Sequence, residues 1–99
     1  IVSSLMSEVD AAYAQLKSGD SKSAAETLDK AIEHWLTLDG YTHIFIRHSE
    51  INSTTEAFFQ FRSDIGSGDA DTAEGSYGLL SETLRSIMTM EQISLGSIF

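Results

Sequence analysis

Between Tyr41 and Ile65 the residues Ile44, His48, Ile51, Thr55, Phe58, Arg62 and Ile65 recur at alternating steps of four and three. A helix makes a turn every 3.6 residues, so this spacing lays one face along a helix. Most of these side chains are apolar or, like Thr55, small enough to bury, and Phe45, Phe59 and Phe61 are expected to widen the stripe. The helix would run about seven turns. A rod of that length buries its stripe only against neighbours along its whole length, so the rest of the chain has to supply them.

The rest of the chain has the right character. It contains no proline and only seven glycines, so little interrupts a helix. Val2, Leu5, Val9, Ala12, Tyr13 and Leu16 predict a first helix over 2–17, with Glu8 and Asp10 in its N-terminal half. Ser18-Gly19-Asp20 predicts a reversal, with Gly19 in the left-handed conformation that closes a helix and Asp20 or Ser21 capping the next. The second helix, about 21–38, has the stripe Ala24, Leu28, Ala31, Ile32, Trp35 and Leu38 and an outer ladder of Lys22, Glu26 and Lys30. Asp39-Gly40 ends it or bends it.

The third helix spans 41–65. Its stretch Ser49–Thr55 is rich in Ser, Thr and Asn, and Ser53 with Glu56 has the spacing of a capping box, so a new helix can start there. The apolar period crosses this patch in register, which favours one continuous helix. Gly66-Ser67-Gly68-Asp69 is the clearest loop. A fourth helix over 70–90 turns Ala73, Tyr77, Leu80, Leu84 and Ile87 inward, with Leu79 and Met88 beside them. Gly75 and Gly78 either weaken this helix or admit another helix close to it. Residues 92–99, with Ile93, Leu95, Ile98 and Phe99, are expected to fold back as a short tail on one end of the core, or to form a partner contact. Short reversals force antiparallel neighbours. The expectation is one all-α domain over 1–99, an antiparallel up-and-down four-helix bundle with a short C-terminal tail.

Fifteen acidic residues face six basic ones, a net charge of −9, and the cations are scattered. That balance argues against binding nucleic acid or an anionic membrane surface. Without cysteine there is no disulfide, thiol catalysis or thiolate-bound metal. The chain opens on Ile1 rather than Met, which leads to the expectation that an upstream anchor or signal has been removed.

The candidates for chemistry are few. A di-metal bundle needs glutamate three residues before histidine, but Ala31, Gly40 and Phe45 precede His34, His43 and His48. Asp39 and His43 are one turn apart, and two ligands make a weak site. His48 interrupts an apolar stripe, so it should bond across the bundle or emerge in a groove. Glu50 lies about 200° round the helix from it, a poor partner for a dyad. Arg47 with Glu50, and Arg62, read as surface or interhelical pairs. Trp35, the only tryptophan, reads as a core anchor. Gly66-Ser67-Gly68 lacks the lysine of a phosphate loop, and Asp69 and Asp71 would repel phosphate. No serine sits beside an obvious general base. The residues expected to line a pocket or groove are His48, Glu50, Trp35 and Tyr41, with no catalytic residue, cofactor or metal.

Two resemblances carry further. Tyr13, the Lys17-Ser18-Gly19-Asp20 turn, Ala24, Leu28 and Ala31 are similar to a single tetratricopeptide hairpin, without a second copy. Over most of the chain, Trp35, His48-Ser49-Glu50-Ile51 and the terminal Ile93-Ser94-Leu95-Gly96-Ser97-Ile98-Phe99 resemble the bacterial family called domain of unknown function 4363. Asn52 and Ser97 depart from its pattern. The resemblance implies a small helical protein, an apolar N-terminal anchor or export segment, and an extracytoplasmic or membrane-anchored location. It implies no reaction. The expectation is therefore a non-catalytic helical domain of the bacterial cell envelope, with another protein or a second copy of itself as partner. The alternative is a small-ligand or metal-binding bundle with His48 near the pocket.

Overall fold

In a computed structural model, the backbone is described for residues 2–38 and 48–98 and the side chains for residues 2–38 and 49–93. Four helices follow one another: α1 (Val2–Lys17), α2 (Ser21–Thr37), α3 (His48–Gly66) and α4 (Ala70–Ile98). Among the described residues there is no strand. α1 packs on α2, α2 on α3, α3 on α4 and α4 back on α1, which closes a ring in chain order.

The first reversal is built as its residues require. Gly19 has φ +90°, a conformation that costs a residue with a side chain about 1–2 kcal/mol. Its N–H donates to Leu16 O at 3.0 Å and Asp20 N–H to Gln15 O at 3.0 Å, which satisfies the last carbonyls of α1 in a Schellman motif. Asp20 then caps α2, accepting from Ser23 N at 3.0 Å, and hydrogen bonding from Ser23, its side chain first and then its N–H, holds the carboxyl below the usual carboxylate range. The second reversal repeats the device. Gly68 has φ +75°, and Asp69 accepts from Asp71 N at 3.0 Å and from the Thr72 hydroxyl at 2.9 Å. Those bonds, Thr72's first, depress its carboxyl as well.

The core takes Val2, Leu5, Val9, Ala12 and Leu16 from α1 and Ala24, Leu28, Ala31, Ile32 and Trp35 from α2. In α4 the buried row is Ala73, Leu80, Leu84 and Ile87. A fully buried Leu, Ile or Phe contributes roughly 1.5–3 kcal/mol, so this shared interior holds the ring together.

The structure corrects the expected layout at several points, though not in the continuity of the third helix. That helix runs unbroken through Ser49–Thr55 and is described from His48, and residues 41–47 lie outside the described residues. Its buried row is Ile51, Thr54, Ala57, Phe58, Phe61 and Ile65, while Thr55 and Arg62 are half-buried flanks. Thr54 can be buried because its hydroxyl donates to Glu50 O at 2.7 Å. Phe59 and Leu79, expected to face inward, are 51% and 61% exposed. The expected tail is instead the end of α4, whose backbone stays helical to Ile98. Finally, an added Cβ at Gly75 or Gly78 would meet nothing within 4 Å, so neither glycine admits a close neighbour.

That last point makes a prediction. Gly75→Ala and Gly78→Ala should each stabilise the domain by about 0.5–1 kcal/mol, the helix propensity that glycine forgoes. Gly68→Ala should destabilise it, because the positive φ remains. Urea unfolding midpoints at unchanged m-value would show all three.

Candidate functional site

Two grooves of about 250 Å³ each lie on helix seams away from the two short reversals. The first is cut between α3 and α4. α3 supplies Ser49, Glu50, Ser53 and Thr54, and α4 supplies Thr83, Ser86, Ile87 and Met90. Each wall consists of pairs one turn apart (49 with 53, 50 with 54, 83 with 87, 86 with 90), so the residues of each helix stack along the seam.

The hydroxyls of this groove are largely committed as donors. Ser53 Oγ donates to Ser49 O at 2.9 Å, Thr54 Oγ1 to Glu50 O at 2.7 Å and Thr83 Oγ1 to Leu79 O at 2.7 Å. A hydroxyl has one proton and two lone pairs, so Ser53 and Thr83 have acceptor capacity left to offer the groove. Glu50, a half-buried residue, adds a carboxylate. Ile87 and Met90 add apolar wall. The lining accepts hydrogen bonds and carries negative charge.

The second groove lies between α1 and α2, lined by Ser4, Leu5, Glu8, His34, Thr37 and Leu38. His34 Nδ1 is 2.7 and 3.1 Å from the two Glu8 carboxylate oxygens, a bridge that ties the two helices on an exposed edge. Neither the Glu8 contact nor the groove was legible from spacing within one helix, because the partners are 26 residues apart.

The expected site residues separate. Glu50 lines the α3–α4 groove. Trp35 lies inside the bundle, 2% exposed, its Nε1 donating to Thr55 Oγ1 at 2.8 Å and its ring stacked on Phe58 at 5.9 Å. It is a core anchor bonded to α3. Tyr41 and the His48 side chain lie outside the described residues, as do Asp39, His43 and Arg47. Arg62 makes an interhelical pair, its Nε 2.7 Å from Asp29 Oδ1. Lys22, Glu26 and Lys30 lie exposed on the outer face. Among the described residues, no group of three His, Asp or Glu side chains is placed to hold a metal ion. Nor is any helix among them long and apolar enough to cross a membrane.

Near the short reversals, Tyr77 stacks on Tyr13 with ring centres 4.1 Å apart, and Phe61 packs on both, at 5.7 and 6.3 Å. Lys17 Nζ sits 4.9 Å from the centre of the Tyr13 ring. The Tyr77 hydroxyl donates to Asp10 Oδ1 at 2.7 Å. That bond, then burial, raises the Tyr77 pKa above its ordinary value of 10.0. Burial, then the charges of Glu74 and Asp71, raises Tyr13.

A phenol whose folded pKa is raised contributes stability that is present below the unfolded pKa and is lost as pH rises through the folded one. Stability should therefore fall above about pH 10. Tyr77→Phe should make that fall shallower, and should remove one late-ionising phenol from a titration followed at 295 nm.

A model of the family described as "Domain of unknown function (DUF4363)" matches residues 1–98. The chain belongs to this family. No curated protein and no solved structure matches it. The family's description assigns no activity.

Proposed function

We propose that this DUF4363 domain is a non-catalytic helical domain of a bacterial envelope protein and works by binding another protein. The observation that carries the reading is an exposed apolar edge along the α2–α3 seam. Trp35 and Phe58 stack across that seam, and the next residue on each helix, about 100° further round, is Leu36 and Phe59. In antiparallel helices that rotation carries both side chains to the same outer side of the seam. Each is 51% exposed. Large apolar side chains placed together on a small domain favour a contact surface, and among the described residues no hydroxyl of the two grooves is hydrogen-bonded to the His34 ring, which is held by Glu8 instead. Placement in the envelope rests on the resemblance of the chain to bacterial family members with an apolar N-terminal segment.

The test is site-specific photo-crosslinking in the host cell with benzoylphenylalanine at position 59. A discrete heavier product is expected, and it should disappear when Leu36→Glu is added to a domain that still melts cooperatively. No product at position 59, or a product indifferent to Leu36→Glu, would remove the support for this surface.

A further inference from the structure

On the exposed side of α4, Leu79, Thr83, Ser86, Met90 and Ile93 recur at steps of four, three, four and three. They form a second stripe, separate from the buried row, over about 21 Å of helix. Leu79 is 61% and Ile93 66% exposed, so an apolar side chain stands beyond the α3–α4 groove at each end of the stripe. The groove between them is lined with acceptors and holds one carboxylate. The side chain of Glu50, whose backbone carbonyl accepts from Thr54, has no hydrogen-bond or ion-pair partner among the described residues, although the residue is half-buried. A carboxylate with a thinned water shell favours a cation.

From this arrangement we infer that the α3–α4 groove binds a lysine side chain of a partner protein, presented between two apolar residues. The ammonium has three protons and no acceptor, which complements Glu50, Ser53 and Thr83. Its four-carbon stem lies against Ile87 and Met90, and the flanking apolar residues rest on Leu79 and towards Ile93. An extended segment of about seven residues spans the stripe. An anionic ligand would meet Glu50 and a chain of net charge −9. A second copy of the chain would bring the same excess of negative charge. The inference rests on the protein-binding reading above and adds a second contact surface to it.

The experiment is an NMR titration of the uniformly ¹⁵N-labelled chain with the peptide acetyl-Leu-Ala-Lys-Ala-Ala-Ala-Leu-amide at low salt, whose leucines are about 20 Å apart when extended. Saturable shifts are expected at the amides of Ser49, Glu50, Ser53, Thr54, Thr83 and Ser86. Replacing the peptide's lysine by norleucine, or Glu50 by glutamine, should weaken binding about tenfold, the worth of one charge-assisted hydrogen bond. Thr83→Val, which keeps the shape and removes an acceptor, should weaken it less, and serves should Glu50→Gln not fold. The inference is overturned by shifts that do not saturate or fall elsewhere, by equal affinity of the norleucine peptide, or by full affinity of both variants. It is also overturned if n-butylammonium chloride binds as tightly as the peptide, which would make this a site for free amines. The same amides shifting with protein concentration alone would assign the groove to a second copy. A crosslink at Phe59 with an inert groove sinks this inference and leaves the protein-binding reading standing. An inert groove with no crosslink sinks both.

Discussion

Phe61→Ala is expected to cost about 3–5 kcal/mol of folding free energy, the range for removing a buried aromatic ring. Phe61 is fully buried and touches both Tyr13 of α1 and Tyr77 of α4. Its loss empties the point where three helices meet, and the two tyrosines, stacked on each other at 4.1 Å, cannot spread to fill it. A domain of this size has roughly 5–15 kcal/mol in total. The melting temperature should fall by about 12–40 °C, at roughly 4–8 °C per kcal/mol. Phe59→Ala is the control. The same deletion two residues earlier, at a half-exposed position, should cost well under 1 kcal/mol. Comparable losses from the two would mean that α3 is rotated from the orientation described.

Trp35→Ala should be the second largest loss, again about 3–5 kcal/mol. It removes the ring stacked on Phe58 and leaves the half-buried Thr55 hydroxyl without its indole donor. Trp35→Phe separates the two effects. It keeps most of the apolar volume and should cost about 1–2 kcal/mol, the hydrogen bond and the residual cavity together. Because Trp35 is the only tryptophan and is buried, its emission should be blue-shifted in the folded chain and move to the red on unfolding. Denaturation followed by tryptophan emission and by helix content should coincide. An emission maximum at the solvent-exposed wavelength in the folded chain would contradict the burial.

The first two helices were legible because each stripe is unambiguous: every apolar position named on α1 and α2 from Val2 to Trp35 is buried or packed against the core, and Gly19 and Asp20 mark the reversal. The third was harder for a physical reason. Steps of four and three through Ile51, Phe58 and Ile65 run equally well through Thr55 and Arg62 or through Thr54 and Phe61, alternatives about 100° apart at those positions. What decides is tertiary: Thr54 hides its hydroxyl on Glu50 O, and Arg62 leans out to Asp29. On α4, the next residue in the row of Leu80, Leu84 and Ile87 is Glu91, which is buried. A glutamate at a core position masks the continuation of the helix, and the last turns looked like a tail. Glu50 was recognisable as a groove residue from its polar surroundings. Thr83, Ser86 and Met90 were not, because which turn of α4 lies opposite which turn of α3 is set by the packed bundle and is written in neither helix alone.

The ring of helices closed in chain order has a kinetic consequence. Three of its four seams join consecutive helices and cost little loop-closure entropy, while the α1–α4 seam unites residues as distant as Asp10 and Tyr77, 67 apart. Low mean sequence separation makes for fast folding, and the most distant pairing is the natural candidate to form after the rate-limiting step. Substitutions at Tyr77 should then act chiefly by hastening unfolding. Those in the α1–α2 hairpin, such as Leu28→Ala, should slow refolding, so the two arms of a chevron plot would read out the order of assembly.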